Sequence, residues 1–131
     1  MSLSPEQRAT LSVLGYLYYR MGRLDSADAV FSALTTQAPE PADAVTRRSF
    51  ATLAAIETER GNGEKALQLI HKALDGQTLS TRNAALHLLR ARALWQQGRK
   101  DEAHTAVNDY LYLVGDSPLV KPPVNDMGKR I

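Results

Sequence analysis

Cysteine is absent from this 131-residue chain, so neither a disulfide nor a thiolate takes part in its fold or its chemistry. That absence fits a reducing compartment. Long apolar runs are missing too: nothing approaches the ~20 consecutive apolar residues of a membrane span. The opening Met1-Ser2-Leu3-Ser4-Pro5-Glu6-Gln7 lacks the charged and apolar regions of a secretory signal, so a cytoplasmic location is expected. Charge of one sign is scarce: 16 Lys and Arg face 14 Asp and Glu, and the net charge is only +2. A pI near 9.0 therefore reflects a narrow imbalance, not the basic footprint of a nucleic-acid binder. Arg47-Arg48 and Arg90-x-Arg92 do not change that expectation.

Catalytic signatures are lacking as well. There is no glycine-rich phosphate loop and no nucleophile elbow. His71, His87 and His104 fall on three separate helices, with no i, i+4 pair and no carboxylate cluster, and read as surface histidines and not as metal ligands. The expectation is a protein that is not an enzyme, with no metal and no cofactor.

What the chain has is helical periodicity from Ser4 to Val114, at an ordinary 44% apolar and 23% charged content. Ser4-Pro5-Glu6-Gln7 is a capping box with proline in the first turn, predicting a helix to about Met21. A second is expected over Leu24–Gln37, ended by Pro39 and Pro41, and a third over Ala42–Arg60. Asn62 can cap a fourth, about Gly63–Leu74, stopped near Gly76. Ser80 or Thr81 opens a fifth that ends at Gly98, and the sixth covers about Lys100–Val114. The order and short turns predict three antiparallel hairpins.

The hairpins repeat. The turns read Gly22-Arg23-Leu24-Asp25-Ser26-Ala27, Gly61-Asn62-Gly63-Glu64-Lys65-Ala66 and Gly98-Arg99-Lys100-Asp101-Glu102-Ala103, each with alanine five places after the glycine. The alanine allows the second helix to press closely on the first. Leu11, Leu14-Gly15, Tyr18, Ala27, Phe31 and Pro39 stand at the offsets of the tetratricopeptide pattern, with leucine in place of the leading tryptophan. The later copies are weaker: Phe50, Leu53, Ala54, Glu57, Ala66 and Ile70, then His87, Arg90, Ala91, Leu94, Ala103 and Val107. Equivalent alanines lie 39 and then 37 residues apart, beyond the usual ~34, which places extra residues near Ala42–Thr46 and Thr81–Asn83.

The chain thus resembles the tetratricopeptide family, which implies an all-α, right-handed solenoid of three helix-turn-helix hairpins. Residues 1–117 form the expected single domain, with repeats at about 8–41, 47–80 and 84–117, and 118–131 form a proline-containing tail. The resemblance implies a groove lined by the first helix of each hairpin. Its groove positions fall on Ala9, Ser12, Tyr16, Tyr19 and Arg20, on Arg48, Ala51, Ala55, Thr58 and Glu59, and on Ala85, Leu88, Arg92, Trp95 and Gln96. Tyr16, Tyr19 and Trp95 are of the types enriched at binding hot spots. Ala51 and Ala55 leave a shallow floor, and Arg20, Arg48 and Arg92 can bond a carboxylate or backbone carbonyls. Packing of the rings against neighbouring helices, and pairing of the arginines with Glu57 and Glu59, are the alternatives. Tyr18 is expected in the core, and Val107, Leu111 and Tyr112 on an outer face that the tail or a partner covers.

The short three-repeat chain, the run Leu88-Leu89-Arg90-Ala91-Arg92-Ala93-Leu94-Trp95-Gln96-Gln97-Gly98 and the closing Asp109-Tyr110-Leu111-Tyr112-Leu113 resemble the small chaperones of bacterial type III secretion systems, of the Yop secretion protein Y type. The implied function is that of a bacterial cytoplasmic chaperone, which holds a secreted export component or substrate in the groove and keeps it soluble for transport. A homodimer of the free protein is a further expectation. The alternative is a generic adaptor that binds a terminal peptide through a carboxylate clamp.

Overall fold

The computed structural model describes residues 3–74 and 84–115. Among them it is all-helical: α1 (Pro5–Arg20), α2 (Leu24–Thr36), α3 (Ala44–Glu59), α4 (Gly63–Leu74), α5 (Ala84–Gln96) and α6 (Lys100–Leu113). Consecutive helices pack as pairs, and α3 also packs on α1 and α5. The expected stop at Gly76, the start at Ser80 or Thr81, the insertion at Thr81–Asn83 and the tail from Pro118 lie outside the described residues.

The starts of α1 and α3 follow capping chemistry, whereas α2 and α6 begin after Arg23 and Arg99 with no side-chain cap. Gln7 N donates to Ser4 Oγ at 3.1 Å and Ser4 N donates to Gln7 Oε1 at 2.9 Å, closing the expected box. The third helix starts two residues later than expected. Asp43 is its cap, accepting from Thr46 N at 2.8 Å.

Three hairpin turns share one device. Gly22, Gly61 and Gly98 have φ of 77°, 82° and 75°. Each donates its amide to the residue three before it, and the following amide reaches five back: Arg23 to Tyr18, Asn62 to Glu57 and Arg99 to Leu94. This is the double closure of a Schellman motif, where a side chain on the left-handed residue is disfavoured.

Packing then follows the repeat. Ala27, Ala66 and Ala103 are buried where second helices approach first helices. Gly15 is needed for the same reason, since a Cβ there would lie 2.9 Å from Phe31 Cζ and Val30 Cγ1. Phe31, Leu34, Leu53, Ile56 and Ile70 form the core of the first two hairpins, each contributing about 1.5–3 kcal/mol by full burial. Ala91, Leu94, Ala103 and Ala106 form a separate cluster in the third, with Leu67 and Val107 against it.

Two polar side chains, Arg8 and His87, are buried with very different surroundings. Arg8 is buried and uses all five of its N–H donors. It binds Asp43 through two bonds, at 2.9 and 3.1 Å, and also reaches Thr46 Oγ1, Leu34 O and Gln37 O. It thereby ties α1 to the end of α2 and the start of α3. His87, expected on the surface, is buried and its Nδ1 has no partner among the described residues. It occupies the repeat position of Leu11 and Phe50, which points inward in every copy.

Candidate functional site

Because α1, α3 and α5 lie side by side, residues on their common side form one surface. Tyr16 and Tyr19 stand one turn apart on α1, with ring centroids 6.3 Å apart and planes tilted by 36°. Arg20 Nη1 donates to Tyr16 Oη at 3.2 Å, with its guanidinium carbon 5.9 Å from the ring centre. Tyr16 is exposed and Tyr19 half-buried.

Tyr19 leads to the next hairpin. Its hydroxyl donates to Glu59 Oε2 at 2.8 Å. Burial pushes the phenol up to about 12, and the Glu59 hydrogen bond and charge add to the shift, while Arg92 on α5 opposes it. One phenol thus senses groups from all three first helices. The matching position of the third hairpin reaches back in the same way: Gln96 Nε2 donates to Thr58 O at 2.9 Å. Glu59 and Gln96 therefore stitch successive first helices together at their C-terminal ends.

On α5, Leu88, Arg92 and Trp95 recur at i, i+4 and i+7, and all are exposed. Trp95 retains 53% of its surface. His104 meets its ring edge-on at 6.3 Å, and Lys100 Nζ lies 5.1 Å from its centre. These two supports on α6 were missed from sequence. The signal was available in principle, since a tight turn at Gly98 folds the first turns of α6 back along the end of α5.

The middle helix supplies the floor. Ala51 and Ala55 are half-buried and Arg48 is exposed. Ser12 is half-buried on α1. Thr58 does not join the surface: it is fully buried, and its hydroxyl donates to Ala54 O at 2.8 Å. The alternative pairing of the arginines is also altered. Glu57, only 3% exposed, bonds Arg60 Nη1 at 3.2 Å and Asn62 Nδ2 at 2.7 Å, while Glu59 goes to Tyr19. Arg60 continues this network to Asp25 and Asp28 on α2. Arg20, Arg48 and Arg92 are left to face outward.

Chemically, the surface offers two apolar lobes, Tyr16 with Tyr19 and Leu88 with Trp95. Small side chains lie between them, with three guanidinium groups around. It suits a polypeptide with apolar anchors and acceptor groups. Among the described residues no group of three histidines or carboxylates could hold a metal ion, and no helix is long and apolar enough to cross a membrane.

A family model described as tetratricopeptide repeat matches residues 52–121. Among solved structures, the chain is similar to one in the crystal structure of PcrH in complex with the chaperone binding region of PopB. The identity is 26% and the TM-score 0.72, over 91% of this chain and 90% of that one. No curated protein matches the sequence.

Proposed function

We propose that this chain, which belongs to the tetratricopeptide repeat family, is a chaperone that holds a segment of a type III secretion export component or substrate on the face of α1, α3 and α5. The observation that carries this reading is the likeness, over nine-tenths of both chains, to a protein crystallised with a chaperone binding region. The resemblance in sequence to small secretion chaperones points the same way.

The mechanism needs no bond-making. A cargo with exposed apolar segments aggregates before export. Seating two of its apolar side chains on the Tyr16–Tyr19 and Leu88–Trp95 lobes removes them from water. Arg20, Arg48 and Arg92 then fix orientation through carbonyl or carboxylate acceptors. A cytoplasmic location follows from that role. A generic adaptor built on a carboxylate clamp is less well supported, because Arg20 is already engaged by Tyr16 and the same face carries an acid, Glu59, bonded to Tyr19.

Co-expression with polypeptides encoded beside this chain tests the proposal. A chaperone makes an otherwise insoluble partner soluble and co-purifies with it. If every such partner stays insoluble, or binds only when already folded, the adaptor reading replaces this one.

A further inference from the structure

A second recess lies away from that face. At ~100° per residue on a helix, Arg90 and Leu94 point to the side of α5 opposite Leu88, Arg92 and Trp95. There they meet α4 and the start of α6 around a cleft of about 380 Å³. Leu67, Ile70 and Leu94 form its floor, and His71, Arg90 and Arg99 its rim. The size falls within the range of ligand-sized recesses.

The rim is unequal in charge. Arg99 is already held by both oxygens of Glu102, at 2.7 and 2.8 Å. Arg90 makes no hydrogen bond or ion pair through its side chain among the described residues, although Glu102 lies close enough to feel its charge. One cation beside an apolar floor is therefore left without a bonded counter-charge. Among the described residues no carboxylate lines the cleft to compete for it.

We propose that this cleft is a second docking site, for an acidic segment of a partner polypeptide that places an apolar side chain on the Leu67–Leu94 floor and a carboxylate on Arg90. The charge complementarity chooses the occupant: an apolar segment alone would leave Arg90 facing an unpaired, partly dehydrated boundary, and a basic segment would be repelled. The site does not depend on the opposite face, so a tetratricopeptide chaperone could engage two stretches of cargo at once and gain from the raised effective concentration.

The test is an amide NMR titration of the full chain with a short, capped peptide of leucine and glutamate at helical spacing. A counterpart with lysine for glutamate serves as control. The expected result is saturable shifts at Leu67, His71 and Arg90 with the glutamate peptide only. Arg90→Gln should weaken binding roughly tenfold, the equivalent of one charge-assisted hydrogen bond. Tyr16→Ala with Trp95→Ala should leave it unchanged. Absence of shifts at the cleft, equal binding of the lysine peptide, or indifference to Arg90→Gln would each overturn the proposal. Loss of binding only in the Tyr16, Trp95 variant would place the peptide on the other face, which sinks this site while leaving the chaperone reading standing.

Discussion

Tyr19 and Glu59, forty positions apart in the chain, share a 2.8 Å hydrogen bond that joins the first hairpin to the second at the edge of the candidate binding face. The bond is made by the neutral phenol, so it exists only while Tyr19 keeps its proton. Folded, that phenol is pushed up to about 12, whereas an unfolded tyrosine ionises near ~10. Between these values the unfolded chain releases a proton that the folded chain retains. Stability should therefore fall as pH rises from about 10 to 12. Thermal melts across that window check it, and Glu59→Gln, which removes the acceptor charge, should shrink the dependence. An unchanged slope in that variant would mean that burial alone sets the phenol.

Arg8 and Asp43 should dominate stability at the α1–α3 junction. Arg8→Ala takes both Arg8 bonds from Asp43, which keeps its Thr46 donors, and leaves two backbone carbonyls without their donor; it is expected to cost about 3 kcal/mol in chemical denaturation. The Arg8 guanidinium and the Thr46 donors hold the Asp43 carboxyl well below the usual carboxylate range. This contribution is present at neutral pH and fades as pH drops below about 4. Asp43→Asn should be less stable at neutral pH and lose less on acidification; equal acid sensitivity of the two proteins would refute the assignment.

His87 acts in a different window. Burial pulls its imidazole below the ordinary value, Arg90 adds to the shift, and Asp109 opposes it. The unfolded chain takes up a proton from about pH 6.5 downward that the folded chain resists, so stability should decline from neutral towards pH 5. His87→Leu, which restores the residue type of Leu11, should flatten that decline. Urea titrations at pH 7.5 and 5.5 separate the outcomes.

Gly15→Ala sets helix propensity against packing. Alanine favours a helix interior by ~1 kcal/mol, but its Cβ would overlap Phe31 and Val30, and overpacking costs about 1–3 kcal/mol. A net loss of roughly 1 kcal/mol is expected, with partial recovery on adding Phe31→Leu. A stabilised single variant would show that α1 and α2 can move apart freely.

Tyr16→Ala with Trp95→Ala should leave the melting temperature nearly unchanged, since both rings are about half exposed. The same pair should weaken cargo binding by more than ~2 kcal/mol. Calorimetry with a co-purified cargo measures it; full affinity in the double variant would move the binding face elsewhere.

Much of the architecture was legible from residues that act locally. Capping at Ser4, the left-handed glycines 22, 61 and 98 and the alanines five places after them depend on near neighbours, so their meaning survives in one dimension. His87 was also legible, because its register with Leu11 and Phe50 marks an inward position. Reading it by residue type hid this, since the pattern and not the imidazole decides where the side chain points.

The amino-acid order by itself determined the helices, their turns and the all-α repeat, because capping, φ preference and apolar period act within a few residues. Only the tertiary structure decided which polar groups are committed. It buries Arg8 on Asp43, withdraws Thr58 from the surface, gives Glu59 to Tyr19 and Glu57 to Arg60, and leaves Arg90 without a bonded partner among the described residues. The physical reason is distance: except for Thr58 and Glu57, whose bonds are local, these partners lie more than thirty residues apart. A hydrogen bond holds only within about 3 Å, a separation that sequence spacing does not encode.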